Sequence, residues 1–349
     1  MSRVLVTGSK GYIGNITTHE LLKAGHEVIG YDIGYFHAEP FGRKDVYGSV
    51  QKIEQIVKDI RDVTVDDMKG IDTVMHFAAL PNDYACDLVH YDVVEDINYL
   101  GAMQMAIAAK RAGVERFIFA SSCSVYGVNG DKLINENSIP APITPYGFSK
   151  LKAESALQKM SSEDFTVTCM RNATCYGVSP RMRFDMVLNN LVGWAFTTGK
   201  VNMYLSDGTS WRPLVHVEDL SLAYILAMEA DKELVSGEIF TAGAQNMLIK
   251  DVAEIAKATV PNAAIEYAPN APKDWRSYKV SNSKIEQVLG FKPKWTIEKG
   301  AKELYEAYKA YGLTEESFNP KTGKKEFWAG KNFKYLIENS KVDKNMRLL

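Results

Sequence analysis

Val4-Leu5-Val6-Thr7-Gly8-Ser9-Lys10-Gly11-Tyr12-Ile13-Gly14 carries an apolar strand into glycines at 8, 11 and 14 and then into a helix. Side chains in that turn would keep backbone amides from reaching a pyrophosphate, and the helix beginning near Gly11 must pack close to the strand. Phosphate then sits at the positive helix end. Eighteen residues past Gly14, a second apolar strand, Glu27-Val28-Ile29-Gly30-Tyr31, ends in Asp32. An acidic side chain there accepts the hydroxyls of an adenosine ribose and repels a 2′-phosphate, so the stretch reads as a site for NAD rather than NADP. Glycine-rich turns alone are common; strand, helix and acidic strand end together specify a dinucleotide.

Strands and helices go on alternating. Ile53 to Val57 leads into Asp59-Ile60, and Asp72-Thr73-Val74-Met75-His76-Phe77-Ala78-Ala79 is a buried strand ending in small residues. Positions 93 to 112 are helical by composition, and Arg116 to Ala120 is a strand entering Ser121-Ser122-Cys123-Ser124-Val125-Tyr126-Gly127. This order predicts an α/β Rossmann fold, a doubly wound parallel sheet with ligands at the carboxyl ends of its strands. A loop rich in Asn and Pro then precedes a helix starting near Tyr146 and a strand from Phe165 to Met170. Beyond Arg171 the pattern predicts a helix over 186–198, a strand over Val201–Leu205, and at Trp211–Asp219 a short strand into a helix. The expected division is a dinucleotide domain at 1–171, rejoined by about 212–242. A smaller C-terminal α/β substrate domain takes 172–211 and 243–312, and a charged tail at 313–349 packs on the surface as helix.

At 349 residues the chain has room for about two domains. Forty-one basic against forty-three acidic residues, with a pI near 6.3, give no electrostatic case for nucleic acid or an anionic membrane. Four cysteines without a Cys-x-x-Cys pair, and a start leading directly into a strand, imply a cytoplasmic protein with reduced thiols. No apolar run approaches the ~18 residues of a membrane span. The six histidines are dispersed without ligand spacing, so no metal site is expected.

Tyr146-Gly147-Phe148-Ser149-Lys150 puts a phenol and an ammonium four residues apart at a helix start, on one face. A tyrosine, with an ordinary pKa near 10, is a poor base at neutral pH. The lysine charge and a positive nicotinamide would bring it into use. Ser122, ending a neighbouring strand, could hydrogen-bond the same substrate hydroxyl.

These motifs resemble, in order and over nearly the whole chain, the extended short-chain dehydrogenases/reductases, the family of nucleotide-sugar epimerases and dehydratases. The resemblance rests on Thr-Gly-x-x-Gly-x-x-Gly at 7–14, Asp32, Asp59-Ile60, His76-Phe77-Ala78-Ala79, Asn98, Ser121-Ser122 ahead of Val125-Tyr126-Gly127, and Tyr146-x-x-x-Lys150. It implies NAD as cofactor, a nucleotide-diphosphate sugar as substrate, and a homodimer built on two sheet-flanking helices. Tyr146, Lys150 and Ser122 would be catalytic. Gly8, Gly11, Tyr12, Ile13, Gly14, Asp32, Asp59, Ile60, Phe77, Ala78, Ala79, Asn98 and Ser121, together with Tyr146 and Lys150, would hold the cofactor. Ser124 and Thr174 fall in the substrate region, Arg212 where the family binds the diphosphate, and Arg276 is either a second phosphate arm or a surface ion pair.

Departures from the family patterns narrow the reaction. The 4,6-dehydratases carry Asp-Glu after the Ser/Thr, where this chain has Cys123-Ser124, and the decarboxylases keep a Glu at the position of Ser124. The 3,5-epimerases use a cysteine at the place of Ser124; Cys123 is one residue early, which turns a strand side chain to the other face, and reads as packing. Pro81 and Thr174 replace a Lys and an Asn common in 4-epimerases, so the sugar pocket differs. Ser, Tyr and Lys alone suit a 4-epimerase working through a transient 4-keto sugar. The alternatives are an NAD(P)-dependent keto-reductase or dehydrogenase on a nucleotide sugar and a non-catalytic dinucleotide sensor.

Overall fold

The structure is a computed structural model that describes residues 1–36, 40–203, 208–267, 276–323 and 327–349. Its strands among those residues are β1 (Arg3–Thr7), β2 (Glu27–Tyr31), β3 (Glu54–Ile56), β4 (Thr73–His76), β5 (Arg116–Ser122), β6 (Leu133–Ile134) and β7 (Thr166–Asn172). They continue with β8 (Thr174–Tyr176), β9 (Lys200–Met203), β10 (Trp211–His216), β11 (Ile239–Ala242), β12 (Gln245–Leu248), β13 (Ala264–Tyr267) and β14 (Lys279–Val280).

Seven of them form one sheet in the order β11-β7-β5-β4-β1-β2-β3, every pair parallel. Helices cover both faces, which is why the strands read as unbroken apolar runs. Alternate residues feed different cores: Val4, Val6, Met75, Ile118 and Met170 one, and Leu5, Val74, Phe117, Phe119 and Val167 the other. The strand order reverses between β1 and β4, and a doubly wound sheet opens its ligand crevice at such a switch point. The helix expected over 93–112 begins at Tyr91 and ends at Arg111, with a π turn at Asp96–Leu100.

The second half is built on a three-stranded sheet, β12-β10-β8, with two further pairs, β13-β9 and β14-β6. The strand at 211–216, expected to return to the first domain, lies in this small sheet, parallel to β8 and antiparallel to β12. The elements directly after β10 return to the first half. The helix Val217–Glu229 packs on the helix Tyr12–Lys23, and β11 becomes the large sheet's edge strand. The strand expected over 201–205 is seen as β9; positions 204 and 205 lie outside the described residues.

Two strands cross between the sheets side by side. β7 passes through Ala173 into β8, and β11 passes through Gly243 and Ala244 into β12. The Ala173 amide donates to the Ala242 carbonyl at 3.0 Å.

The tail corrects the expectation of a surface helix. It forms helices at Glu315–Phe318 and Ala329–Glu338, but Phe318, Phe327, Phe333 and Met346 are buried. Phe318 fills the space above Gly193, where any side chain would collide with its ring, and meets Trp194 edge-on at 5.1 Å. A charged sequence hid these aromatics because a few inserted rings leave no period.

Candidate active site

A cavity of about 810 Å³ opens at the carboxyl ends of the large sheet, against the second half. All candidate residues line it except Asn98. Asn98 is buried behind the wall: its side chain accepts from the Leu80 amide at 2.7 Å and donates to the Ser149 hydroxyl at 3.1 Å. It braces the loop after β4 against the helix Pro145–Gln158 instead of facing a ligand.

The glycine turn has the form its sequence demands. Gly8 sits at φ +70, donates to the Tyr31 carbonyl at 2.8 Å and accepts from the Gly11 amide at 2.9 Å. The helix Tyr12–Lys23 starts directly after Gly11 with no side-chain cap, leaving its first amides for a ligand. A Cβ on Gly14 would land on the Gly8 carbonyl, with Gly8 C at 2.8 Å and Ser9 Cα at 2.9 Å. At the end of β2, Asp32 accepts from the Lys10 amide at 3.0 Å and the Gly34 amide at 2.7 Å. At the end of β3, burial would raise the Asp59 carboxyl, but the Arg61 guanidinium at 2.5 Å outweighs it and holds the group below its ordinary value.

The helix Pro145–Gln158 is started by Thr144, whose hydroxyl accepts from the Gly147 amide at 3.1 Å, and by Pro145 in the first turn. This places Tyr146 and Lys150 on the cavity wall. Lys150 is buried, donates to the Ala120 carbonyl at 2.9 Å and lies 5.9 Å from the centre of the Tyr146 ring. Burial lowers its ammonium to about 8. Burial, with Cys86 and Asp83 nearby, pushes the Tyr146 phenol up, and only Arg183 and the Ser122 hydroxyl pull it down. Desolvation is the largest of these influences, so ionising the phenol costs more here than in water.

Ser122 accepts from the Ser124 amide at 3.2 Å and the Ser124 hydroxyl at 2.7 Å, which leaves its own proton to donate into the site. Ser121 turns its hydroxyl away, donating to Glu154 at 2.7 Å, and the buried Glu154–Arg171 pair ties β5 and β7 to the helix Pro145–Gln158. His76 is held neutral, its imidazolium lowered to about 3 by burial and by Lys150. Cys123 is packed: its buried thiol donates to the Arg171 carbonyl at 3.3 Å, and burial pushes its ionisation up.

On the facing wall, Thr174 comes from β8 and Arg212 from β10, with its guanidinium 6.0 Å from the Tyr278 ring centre. Arg276 combines the two readings the sequence left open, since it lines the cavity and pairs with Asp83 at 2.6 Å. The structure adds wall residues the sequence did not single out. Arg183 pairs with Asp185 at 2.8 Å, and Asp185 accepts from Asn82 at 2.8 Å. Arg181 stacks on Phe36 at 3.9 Å, and Tyr35, Asn172, Tyr278, Trp328 and Phe333 complete the wall. A signal for the two arginines and Asp185 was the alternation Arg181-x-Arg183-x-Asp185 in an otherwise apolar loop; nothing in the sequence marked the aromatics.

Residues 4–243 match the model of the NAD dependent epimerase/dehydratase family. The chain belongs to that family. Its relatives include the UDP-glucose 4-epimerase of Lactobacillus helveticus, 29% identical over 84% of this chain and 92% of that one. The dTDP-D-glucose 4,6-dehydratase of Mus musculus is 27% identical over 88% of each chain. Among solved structures, MoeE5 in complex with UDP-glucose and NAD is 30% identical, with a TM-score of 0.73 over 88% of this chain and 99% of that one. NAD is the family's cofactor, and the residues here fit it: an open cradle that a Cβ at Gly14 would fill, uncapped amides at its edge, and Asp32 and Asp59 beyond. No helix among the described residues is long and apolar enough to cross a membrane, and none of their side chains form a metal-holding group.

Proposed function

We propose that this protein inverts C4 of a nucleotide-linked sugar through a transient 4-keto sugar, without consuming added cofactor. The observation that carries this reading is the set of groups at the reacting end: Ser122, Tyr146 and Lys150 face the cavity, while its neighbouring carboxylates are already bound. Asp83 pairs with Arg276 through Oδ2 and Asp185 with Arg183 through both oxygens, so each is held as an ion-pair partner in its ionised form and not as a protonated acid for eliminating water. Cys86 and Cys123 are no substitute, since burial pushes the first up to about 12 and the second higher.

Bound NAD supplies reversible two-electron oxidation of the sugar carbinol. Tyr146 takes the proton of the C4 hydroxyl as the carbonyl forms and gives it back when the carbonyl is reduced. Ser122 donates to the same oxygen, and Lys150, fixed by the Ala120 carbonyl, keeps positive charge beside the phenolate. Arg212 holds the diphosphate, so the sugar can turn about its phosphate link and present its other face. A homodimer is part of the proposal, supported by exposed Tyr91, Leu100 and Ile107 on one sheet-flanking helix and Phe148 on the next; sedimentation velocity reads it as a doubled mass.

The test is incubation with UDP-, dTDP-, GDP- and CDP-sugars in deuterium oxide, followed by NMR. A C4 epimer with no deuterium on carbon and no net NADH is expected. Stoichiometric NADH turnover would replace this reading with the keto-reductase; loss of water, or deuterium at C3 or C5, would overturn it.

A further inference from the structure

The adenosine half of a dinucleotide lies at the carboxyl ends of the second and third strands of this fold. In this chain that place is not left open. Past Asp32, Phe333 of the tail packs edge-on against Tyr35 at 5.6 Å and Phe36 at 5.4 Å, and Asn332 donates to the Tyr35 carbonyl at 3.1 Å. Past Asp59, Arg61 donates to the Asn345 carbonyl at 2.7 Å, and Arg347 pairs with Asp62 at 2.6 Å. The Tyr35 hydroxyl also donates to the Met346 carbonyl.

The same segment is anchored on the opposite wall. The Phe184 amide donates to the Phe327 carbonyl at 2.8 Å, and the Phe327 ring meets Phe41 at 5.6 Å and Phe184 at 5.3 Å. Between the anchors, Gly330 lies flush on Tyr84, where any side chain would strike the ring. Trp328, Gly330 and Phe333 line the cavity as the chain passes.

We propose that the tail from Phe327 to Leu349 is part of the cofactor site: it closes the adenosine end and makes NAD a retained group. This rests on the dinucleotide site and not on which sugar reaction the enzyme performs. For the adenosine to leave on this side, Phe333 must lift from Tyr35 and Phe36, and the Asp62–Arg347 and Arg61–Asn345 contacts must break. By linkage, a tail that holds NAD is itself held by NAD.

Two measurements on the full-length protein test this. In the first, bound radiolabelled NAD is chased with excess unlabelled NAD. Phe333→Ala should speed release about tenfold or more, the change expected for losing ~1.4 kcal/mol of closure, and Arg347→Ala, which removes a half-exposed ion pair, about three- to fivefold. Asp62→Asn should act like Arg347→Ala, and the double variant should add little, which separates loss of the pair from misfolding. In the second, carboxypeptidase trimming of the unmodified protein should slow several-fold when NAD is added. Release rates within about twofold of the unmodified protein, or trimming indifferent to NAD, would overturn the proposal. Neither measurement depends on the sugar product, so either outcome leaves the epimerase reading to its own test.

Discussion

Replacing Gly14 with alanine isolates the packing on which the dinucleotide cradle depends. The added methyl would sit on the Gly8 carbonyl and within 2.8 to 2.9 Å of Gly8 C and Ser9 Cα, all backbone atoms that no rotamer change can move aside. Alanine favours a helix over glycine by about 0.5–1 kcal/mol, while overpacking costs about 1–3 kcal/mol, so global stability falls by roughly 0–2.5 kcal/mol. The larger effect is on the ligand. Restoring contact distances moves the turn from the helix by a large part of an ångström, and losing one charge-assisted hydrogen bond to pyrophosphate removes ~1.5–3 kcal/mol. NAD affinity should then drop roughly 10- to 150-fold, read by calorimetric titration beside a thermal melt. Gly48→Ala is the control: its Cβ would meet nothing within 4 Å, so binding should stay unchanged. A Gly14→Ala protein that binds NAD within about threefold of the original would refute the reasoning.

Tyr146→Phe should lower turnover by about 10²–10⁴-fold while leaving NAD binding intact, because the phenol moves the proton but lies outside the glycine turn; a variant keeping a third of its turnover removes the residue from that role. Asp32→Ala should erode the preference for NAD over NADP, measured by paired titrations, and an unchanged ratio would free Asp32 from the ribose. Lys150→Met gives a pH test. The folded-state ammonium is lowered to about 8 and the unfolded one titrates near 10.4, so between those values the unfolded chain holds more protons and the lysine protein gains stability as pH rises. The melting temperature of Lys150→Met relative to the unmodified protein should therefore fall from pH 7 to pH 9.5; a constant difference contradicts the lowered ammonium.

The first half of the fold was legible because each of its signals is local. An apolar strand, a glycine turn and an acidic strand end follow one another within 32 residues, and the tyrosine and lysine share one helical turn. The fate of β10 was not legible: it is as apolar as a strand of the large sheet, and only pairing with β8 and β12 decides its place. Asn98 misled because its spacing is right, but its amide is used up bracing Leu80 and Ser149. The phenol's direction of shift depends on how deeply tyrosine and lysine are buried together, which spacing does not encode.

The paired crossings at Ala173 and at Gly243-Ala244 have a mechanical consequence. One peptide link between two bodies is a swivel, free to twist and bend. Two adjacent links joined by the Ala173–Ala242 hydrogen bond form a strip that resists torsion. The chain crosses again from His216 into the helix Val217–Glu229, and the Tyr12 hydroxyl ties the first half to the Gly177 carbonyl at 2.8 Å. Because Asn172, Ala173 and Thr174 lie in the cavity wall, the strip acts as a brace that keeps Thr174 in fixed register with the end of β7.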